Sequence, residues 1–380
     1  MSFYLKHSNV NWMNGMKISK DHFIQQDRAS DDKIRDAAGL QINSLNYGLI
    51  PMWPGSKGVD FKAVLKIDNQ KFLKIDLVNC RAVSPNGSRI EVLEDQRYPT
   101  IKVDLSKEME LLRAGESLEF YILLNVDLFN RVPGGELDAS EEPPRYPLSG
   151  PGYKVSIFPV SHVSKEGVNP SSIFIGKLKM SHDTLEVQDN YIPPCMTLRS
   201  HKNLMSFYSL VEKFFNQLEL DLLSIIKKIK EKKQDTSLAK SVGFLSEKLL
   251  QYISGQNLKL RWEIPDQAPV FIFEGVAGFA RIMRNTIDSS ASASKEELLN
   301  YFTNWSELKQ GDFEKLLVYC INFEYDHNEI LNNVEQFGEF IQIMTALFSK
   351  LESLAYIGKK KETSIFVKED KKPKRSFLAD

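Results

Sequence analysis

The chain has 380 residues carrying 49 basic and 50 acidic side chains, so no global field draws it to nucleic acid or to an anionic membrane. With 42% of residues in the hydrophobic set it can bury a sizeable core, and its length exceeds one typical domain, so two domains are expected. Cys80, Cys195 and Cys320 are far apart and odd in number, which argues against a disulfide framework or a zinc site and points to a reducing compartment. No signal-peptide pattern opens the chain and no apolar stretch approaches the ~20 residues that span a bilayer, so the reading is a soluble, cytoplasmic protein.

In chain order, Trp12-Met13-Asn14-Gly15 precedes a segment from Asp31 to Leu45 in which Ile34, Ala37, Ala38, Gln41, Ile42 and Leu45 share one helix face. From Phe61 to Pro194 the period changes to two, as in Val64–Ile67, Phe72–Val78 and Leu118–Val126, which predicts strands. Pro85-Asn86-Gly87 reads as a tight turn. The stretch from Arg131 to Tyr153, with five prolines and Gly134-Gly135, reads as a long surface loop without regular structure. Strands broken by turns with no helices between them indicate an antiparallel β-sandwich.

At Ile192-Pro193-Pro194 the strand pattern stops, because prolines remove ladder donors. From there Leu204, Tyr208, Val211, Phe215, Leu218, Leu222, Ile225 and Ile229 step by four and three as a heptad seam. That helix ends in Lys227, Lys228, Lys230, Lys232 and Lys233, which suit the negative end of its dipole. Helices follow with Leu238, Val242, Leu245 and Leu249, then from about Ala268 to Asp288, then from a Ser294-x-x-Glu297 capping box. A second seam closes the series at Ile330, Val334, Phe337, Ile341, Met344, Phe348 and Leu351, and the two seams suggest an antiparallel helical bundle. The fold class is thus α+β, with a sandwich body over residues 1–200, a helical neck over 201–357 and a basic, disordered tail over 358–380. Both seams can pack inside one chain or join copies of it; Phe207, Leu210 and Phe214 widen the first helix's apolar face and favour self-association.

Signatures of catalysis are missing. There is no nucleophile elbow, phosphate loop or His-Glu-x-x-His, and the glycines of Ser149-Gly150-Pro151-Gly152 lead into a strand where a phosphate cradle needs a helix. The six histidines are dispersed, and in Asp21-His22 and Asp326-His327 sequence neighbours do not face each other on a helix, so neither reads as a dyad. No catalytic residue, metal site, cofactor or small-molecule substrate is expected, and the C-terminal lysines read as a solvating tail.

The segment Val10-Asn11-Trp12-Met13-Asn14-Gly15-Met16-Lys17-Ile18, followed by His22-Phe23-Ile24-Gln25-Gln26-Asp27-Arg28, resembles the opening signature of the TssK (ImpJ/VasE) family. Tyr47-Gly48-Leu49, Pro85-Asn86-Gly87, Tyr191-Ile192-Pro193-Pro194-Cys195, Ala268-Pro269-Val270-Phe271-Ile272-Phe273 with Ala277-Gly278, and Tyr325-Asp326-His327 agree in order and spacing, so the resemblance runs from Val10 to about Leu354. It implies a type VI secretion baseplate subunit: a homotrimer whose bodies, similar to the shoulder of phage receptor-binding proteins, attach to the TssF/TssG wedge and link the baseplate toward the cell envelope. The sheath and other baseplate proteins would be indirect partners. In most members a further head follows the neck and docks on TssL and TssM. Here the chain ends about twenty-five residues after the last heptad, so a headless variant with a different membrane anchor, or none, is expected.

The opening motif also has a physical reading. Trp12 and Phe23 around the Gly15-Met16 turn would bury apolar area, with His22 packed beside them, while Gln25, Gln26 and Asp27 would bond an extended arm. These residues pin the arm to its own body, contact the wedge, or contact a neighbour in the trimer. Two further readings are a phage tail adaptor or receptor-binding protein, and a β-sandwich glycoside hydrolase using Glu136, Asp138, Glu141 and Glu142.

Overall fold

A computed structural model describes residues 5–52, 61–93, 100–110, 112, 117–163, 168–181, 184–306 and 308–358. The tail lysines from Lys359 onward, and His182, lie outside the described residues. The chain is α+β, with antiparallel sheets in its N-terminal half and helices in its C-terminal half.

Helix α1 spans Lys20–Gly39, earlier than the expected Asp31–Leu45. Its buried residues are Ala29, Asp32 and Arg35, whereas Ile34 is 70% exposed and Gln41, Ile42 and Leu45 lie beyond its end. The apolar periodicity therefore marked the solvent side, because the inward side is held by a buried ion pair, Arg35 to Asp32 at 2.7 Å, rather than by aliphatic packing.

Five strands form the first sheet: β1 (Gly48–Leu49), β2 (Lys62–Ile67), β3 (Phe72–Val83), β4 (Arg89–Val92) and β5 (Ile101–Asp104). All four others pair antiparallel with β3, β2 and β5 along its first half and β1 and β4 along its second. The β2–β3 register slips between Lys62 and Ala63, leaving one extra residue on β3 between Leu77 and Asn79. A slip of one residue exchanges the faces, so the buried set changes from Leu73 and Ile75 to Cys80 and Ala82. After the one-turn helix α2 (Ser106–Glu110), the second sheet runs in the order β7-β6-β8-β9 over β6 (Leu118–Gly134), β7 (Leu148–Pro159), β8 (Ser172–Met180) and β9 (Leu185–Val187). Central β6 is buried on both sides: Phe120, Ile122 and Leu124 join the main core, and Tyr121 and Leu123 pack with Phe174 and Tyr191.

The expected loop from Arg131 to Tyr153 is mostly a ribbon. Strands β6 and β7 pair as far as Gly134 with Leu148, which leaves 135–147 as the connection. Pro133 and Pro151 are tolerated because β7 is an edge strand and β8 stops pairing with β6 at Asn125, so each ribbon strand has one side without a ladder partner.

The helical half contains α3 (Lys202–Glu231), α4 (Ser237–Trp262), α5 (Val270–Asp288), α6 (Ser292–Trp305), α7 (Gln310–Ile321) and α8 (Ile330–Ser353). Phe273 stacks between Phe207 and Phe337 at 5.3 Å from each, and further along Phe279 meets Phe214 at 5.6 Å and Phe340 at 6.2 Å. Residue numbers rise together along α3, α5 and α8, so these three helices share one direction; the two seam helices are parallel to each other, and the antiparallel returns are made by elements between them. Helix α6 starts at Ser292, two residues before the expected capping box, so Ser294 lies within its first turn. Lys228 donates to the backbone oxygens of Glu352 and Leu354 and Lys232 to that of Ala355, so two of the α3 lysines cap the end of α8 instead of their own helix.

Leu204, Tyr208, Val211, Phe215, Leu218, Leu222 and Ile225 are buried in this single chain, as are Ile330, Phe337, Ile341, Met344, Phe348 and Leu351; Ile229 and Val334 are half-buried against the same core. Phe207 and Phe214 are buried too. The heptad seams are satisfied internally, so their periodicity does not require a second copy.

Candidate functional site

The N-terminal arm runs antiparallel along α1. At its start, the amides of Lys6 and His7 both donate to Asp32 Oδ2, the second at 2.9 Å. Burial works to raise the Asp32 carboxyl, but those two amides and Arg35 outweigh it and hold the group below the usual carboxylate range. Further along, Gln25 Nε2 donates to the Ser8 carbonyl at 2.9 Å and the Val10 amide donates to Gln26 Oε1 at 3.3 Å. Backbone bonds to helix side chains thus hold the arm. Asp27 faces the other way, 3.5 Å from Arg131 of β6, which also meets Asp31 at 2.7 Å. His7 stacks on Phe129, and Arg28 donates to the Phe129 carbonyl.

Beyond Val10 the arm turns at Met13–Met16, with Gly15 at φ +79° and an amide-to-carbonyl bond of 3.2 Å. Ser19 precedes α1, and its amide donates to His22 Nδ1 at 3.1 Å, so His22 occupies the reciprocal position of a capping box. Trp12 lies 6.0 Å from the His22 ring and 6.2 Å from Phe23. The large apolar burial expected of this motif does not occur: Trp12 is 48% exposed, Phe23 58% and Met13 68%, and Ile18 is exposed beside them. The aromatic pair rests on the outer face of α1, which turns its own sequence periodicity outward.

A second constellation joins the two halves of the molecule. His327 is buried, with Nε2 2.9 Å from the Tyr47 carbonyl and Nδ1 2.7 Å from the Tyr325 hydroxyl. A carbonyl only accepts, so Nε2 carries the proton and Nδ1 accepts from Tyr325. Burial pushes this imidazole down to about 4, which keeps the ring neutral. Asn328 takes the Tyr47 hydroxyl at 2.6 Å on its side chain and the Tyr191 hydroxyl at 2.9 Å on its carbonyl. Glu329, the residue before α8, accepts from Tyr121 and pairs at 2.7 Å with Lys177, which also meets Glu119 at 2.8 Å. Asp326 accepts the Asn328 amide and does not form a dyad with His327. This network consists of bonds that fix position, without a nucleophile or a metal set.

Two loop carboxylates of the glycosidase reading, Glu141 and Asp138, are poorly suited to acid catalysis. Arg145 holds Glu141 below its ordinary range, and the hydroxyl and amide of Ser140 do the same for Asp138, whereas a general acid needs a raised pKa. Among the described residues, no cluster of His, Cys, Asp and Glu could hold a metal ion, and no helix is long and apolar enough to cross a membrane.

Neither a protein-family model nor a curated protein matches the chain. Solved structures do. A crystal structure of TssK is 14% identical with a TM-score of 0.48, over 90% of this chain and 69% of that one. A baseplate complex of the type VI secretion system matches at 14% and 0.47, over 92% of this chain and all of the matched chain. A TssK-TssF-TssG baseplate subcomplex matches at 12% and 0.46, over 90% and 99%. The chain is similar to TssK.

The segments that resemble the TssK family are distant in sequence and meet in space. Leu49 exchanges backbone bonds with Pro194 at 2.7 Å and Met196 at 2.8 Å, and any Cβ on Gly48, at φ +103°, would lie 2.0 Å from the Pro194 carbonyl oxygen. The Tyr47-Gly48-Leu49 segment therefore lies between Pro193-Pro194-Cys195 and Tyr325-Asp326-His327, and Phe273 packs 6.1 Å from Tyr325. The Pro85-Asn86-Gly87 turn seats α1: Gly87, at φ +85°, abuts the Arg35 carbonyl and the Gly39 amide. Sequence reasoning missed Asp32, Glu329 and Lys177; an acid three residues before an arginine on a helix face was the available signal for the first.

Proposed function

We propose that this chain is a baseplate subunit of the TssK type in a type VI secretion system. In this reading it is a cytoplasmic, trimeric connector with a β-sandwich body and a helical-bundle neck, placed near the inner face of the membrane, that docks on the TssF/TssG wedge through its arm and α1. What carries the reading is the arm: the backbone of Lys6, His7, Ser8 and Val10 is bonded to α1 at Asp32, Gln25 and Gln26, while Trp12, Met13 and Phe23 stay open to solvent. Exposed aromatic side chains on an already ordered segment meet a partner without the entropy cost of ordering it, and Trp is enriched among residues that dominate interface energy. The ordered motif set and its convergence at the junction between the halves support the same family.

Because the seams are buried, the trimer contact is assigned to apolar residues left outside, Leu220 and Leu223 on α3 and Phe244 on α4. Co-purification tests the whole reading. The intact chain is expected to bind purified TssF/TssG, and a Trp12→Ala/Phe23→Ala variant to melt at the same temperature and fail to bind. A variant that binds normally, or that unfolds, would show that the arm serves only its own body.

A further inference from the structure

We propose that a cleft in the helical half binds a linear amphipathic anion, an alkyl chain ending in a carboxylate; this does not rest on the baseplate reading above. The cleft has a volume of about 450 Å³, within the range of small-molecule sites, which commonly lie between the helices of bundles. It opens between α3, α4, α5 and the end of α7, and it follows α5 from Phe271 to Arg281. Ten residues of helix make it about 15 Å long, so the volume describes a slot rather than a round chamber.

The slot has an apolar lining that the chain leaves unfilled. Phe215 of α3, Leu260 of α4 and Ile272 of α5 are buried in its floor, and Phe271 and Phe323 are half-buried along it. Two glycines of α5 shape it, for different reasons. Tyr252 of α4 reaches across to donate to the Gly275 carbonyl at 2.8 Å, and a Cβ on Gly278 would lie 2.2 Å from that hydroxyl oxygen, so Gly278 is needed for the close approach. A Cβ on Gly275 would meet nothing within 4 Å. Glycine inside a helix is unfavourable, and no neighbour requires it at 275. Its effect there is to keep the slot open.

Charge selects the head group. Lys259, Glu274 and Arg281 are the charged residues of the lining, and none forms an ion pair among the described residues. Lys259 stands near the connection from α4 to α5, at the same end as Glu274, and offsets it. Arg281 lies two turns further along α5, with a single long bond of 3.5 Å to the Ile321 carbonyl. The slot therefore has a neutral end and a cationic end joined by apolar walls. A guanidinium recognises a planar carboxylate through paired bonds. A cationic amphiphile would set like charge beside Arg281, and an uncharged chain would leave the guanidinium unpaired.

Isothermal titration of decanoate into the full chain tests this, with decanol and phosphatidylglycerol vesicles as comparators. Wild type is expected to bind one decanoate, and to bind decanol at least severalfold more weakly. Gly275→Leu places a side chain in the slot; it should melt no lower than wild type, because leucine favours helix, and bind decanoate at least about tenfold more weakly. Arg281→Gln should weaken decanoate about tenfold and leave decanol unchanged. Decanoate that binds Gly275→Leu as tightly as wild type, decanol that binds wild type as tightly as decanoate, or a wild type that binds neither overturns the proposal. Binding to the vesicles without binding of free decanoate also overturns it, since a surface and not the slot would then read the lipid. None of these outcomes bears on wedge binding, so this proposal and the baseplate reading fail separately.

Discussion

Protonation of His327 is predicted to be the main acid-sensitive event at the junction between the halves. Its folded pKa of about 4 lies below the ordinary imidazole value of 6.5, so the unfolded chain binds the proton more tightly. The contribution to stability is complete above pH 6.5 and is lost as pH falls through the interval toward 4. Linkage gives a loss of roughly 1 kcal/mol at pH 5.5 and roughly 3 kcal/mol at pH 4. The structural reason is burial, which penalises the charged imidazolium; the bond to the Tyr47 carbonyl and the nearby Asp326 only partly offset it. The measurement is urea unfolding of wild type and His327→Gln at pH 7, 5.5 and 4. The variant should be about 1–3 kcal/mol less stable at pH 7, through the Tyr47 and Tyr325 groups left without partners. The gap should then close as pH falls, because the variant lacks the titrating group. Carboxylates elsewhere titrate in both proteins and cancel in the difference. A gap that stays constant from pH 7 to 4 would refute the assignment of a neutral, buried imidazole.

Three further outcomes follow from packing. Gly87→Ala should destabilise the protein by at least about 2 kcal/mol, since its Cβ would sit 2.3 Å from the Arg35 carbonyl at φ +85°, and amide exchange at Lys6 and His7 should quicken as α1 lifts. Lys177→Met strands Glu329 beside Tyr121 and should cost about 3 kcal/mol in thermal unfolding, with Lys177→Met/Glu329→Gln recovering part of it; equal losses in the two variants would mean that the ion pair is immaterial. Leu222→Ala, within the core, should cost about 2–5 kcal/mol and leave the mass in solution unchanged, whereas Leu220→Glu/Leu223→Glu should stay within about 0.5 kcal/mol and dissociate the proposed trimer. The reverse pattern by light scattering would return the seam to the interface.

Legibility differed between periodic and local features. The seams of α3 and α8 and the alternation of β2, β3 and β6 were readable because burial on one face imposes a period of 3.6 or 2. What the period does not state is the partner of that face, which is why a heptad run read as self-association proved to be filled by Phe273, Phe279 and other residues of the same chain. Helix α1 was misplaced for a related reason: its inward face uses Asp32 and Arg35, so hydropathy alone pointed to the wrong side. The β6–β7 ribbon was hidden by prolines that an edge strand accommodates. Gln25 and Gln26 were legible as arm-bonding residues, whereas the role of Trp12 and Phe23 could not be read, since an exposed aromatic pair and a buried one look alike in sequence.

The central claim is that the ordered arm is the docking element of a trimeric baseplate subunit. It is tested most directly by the mass in solution of wild type and of Trp12→Ala/Phe23→Ala, each alone and mixed with TssF/TssG. The account predicts that both proteins are trimers and that only the wild type gains the mass of the wedge. A wild-type chain that remains a monomer and binds neither protein would contradict it.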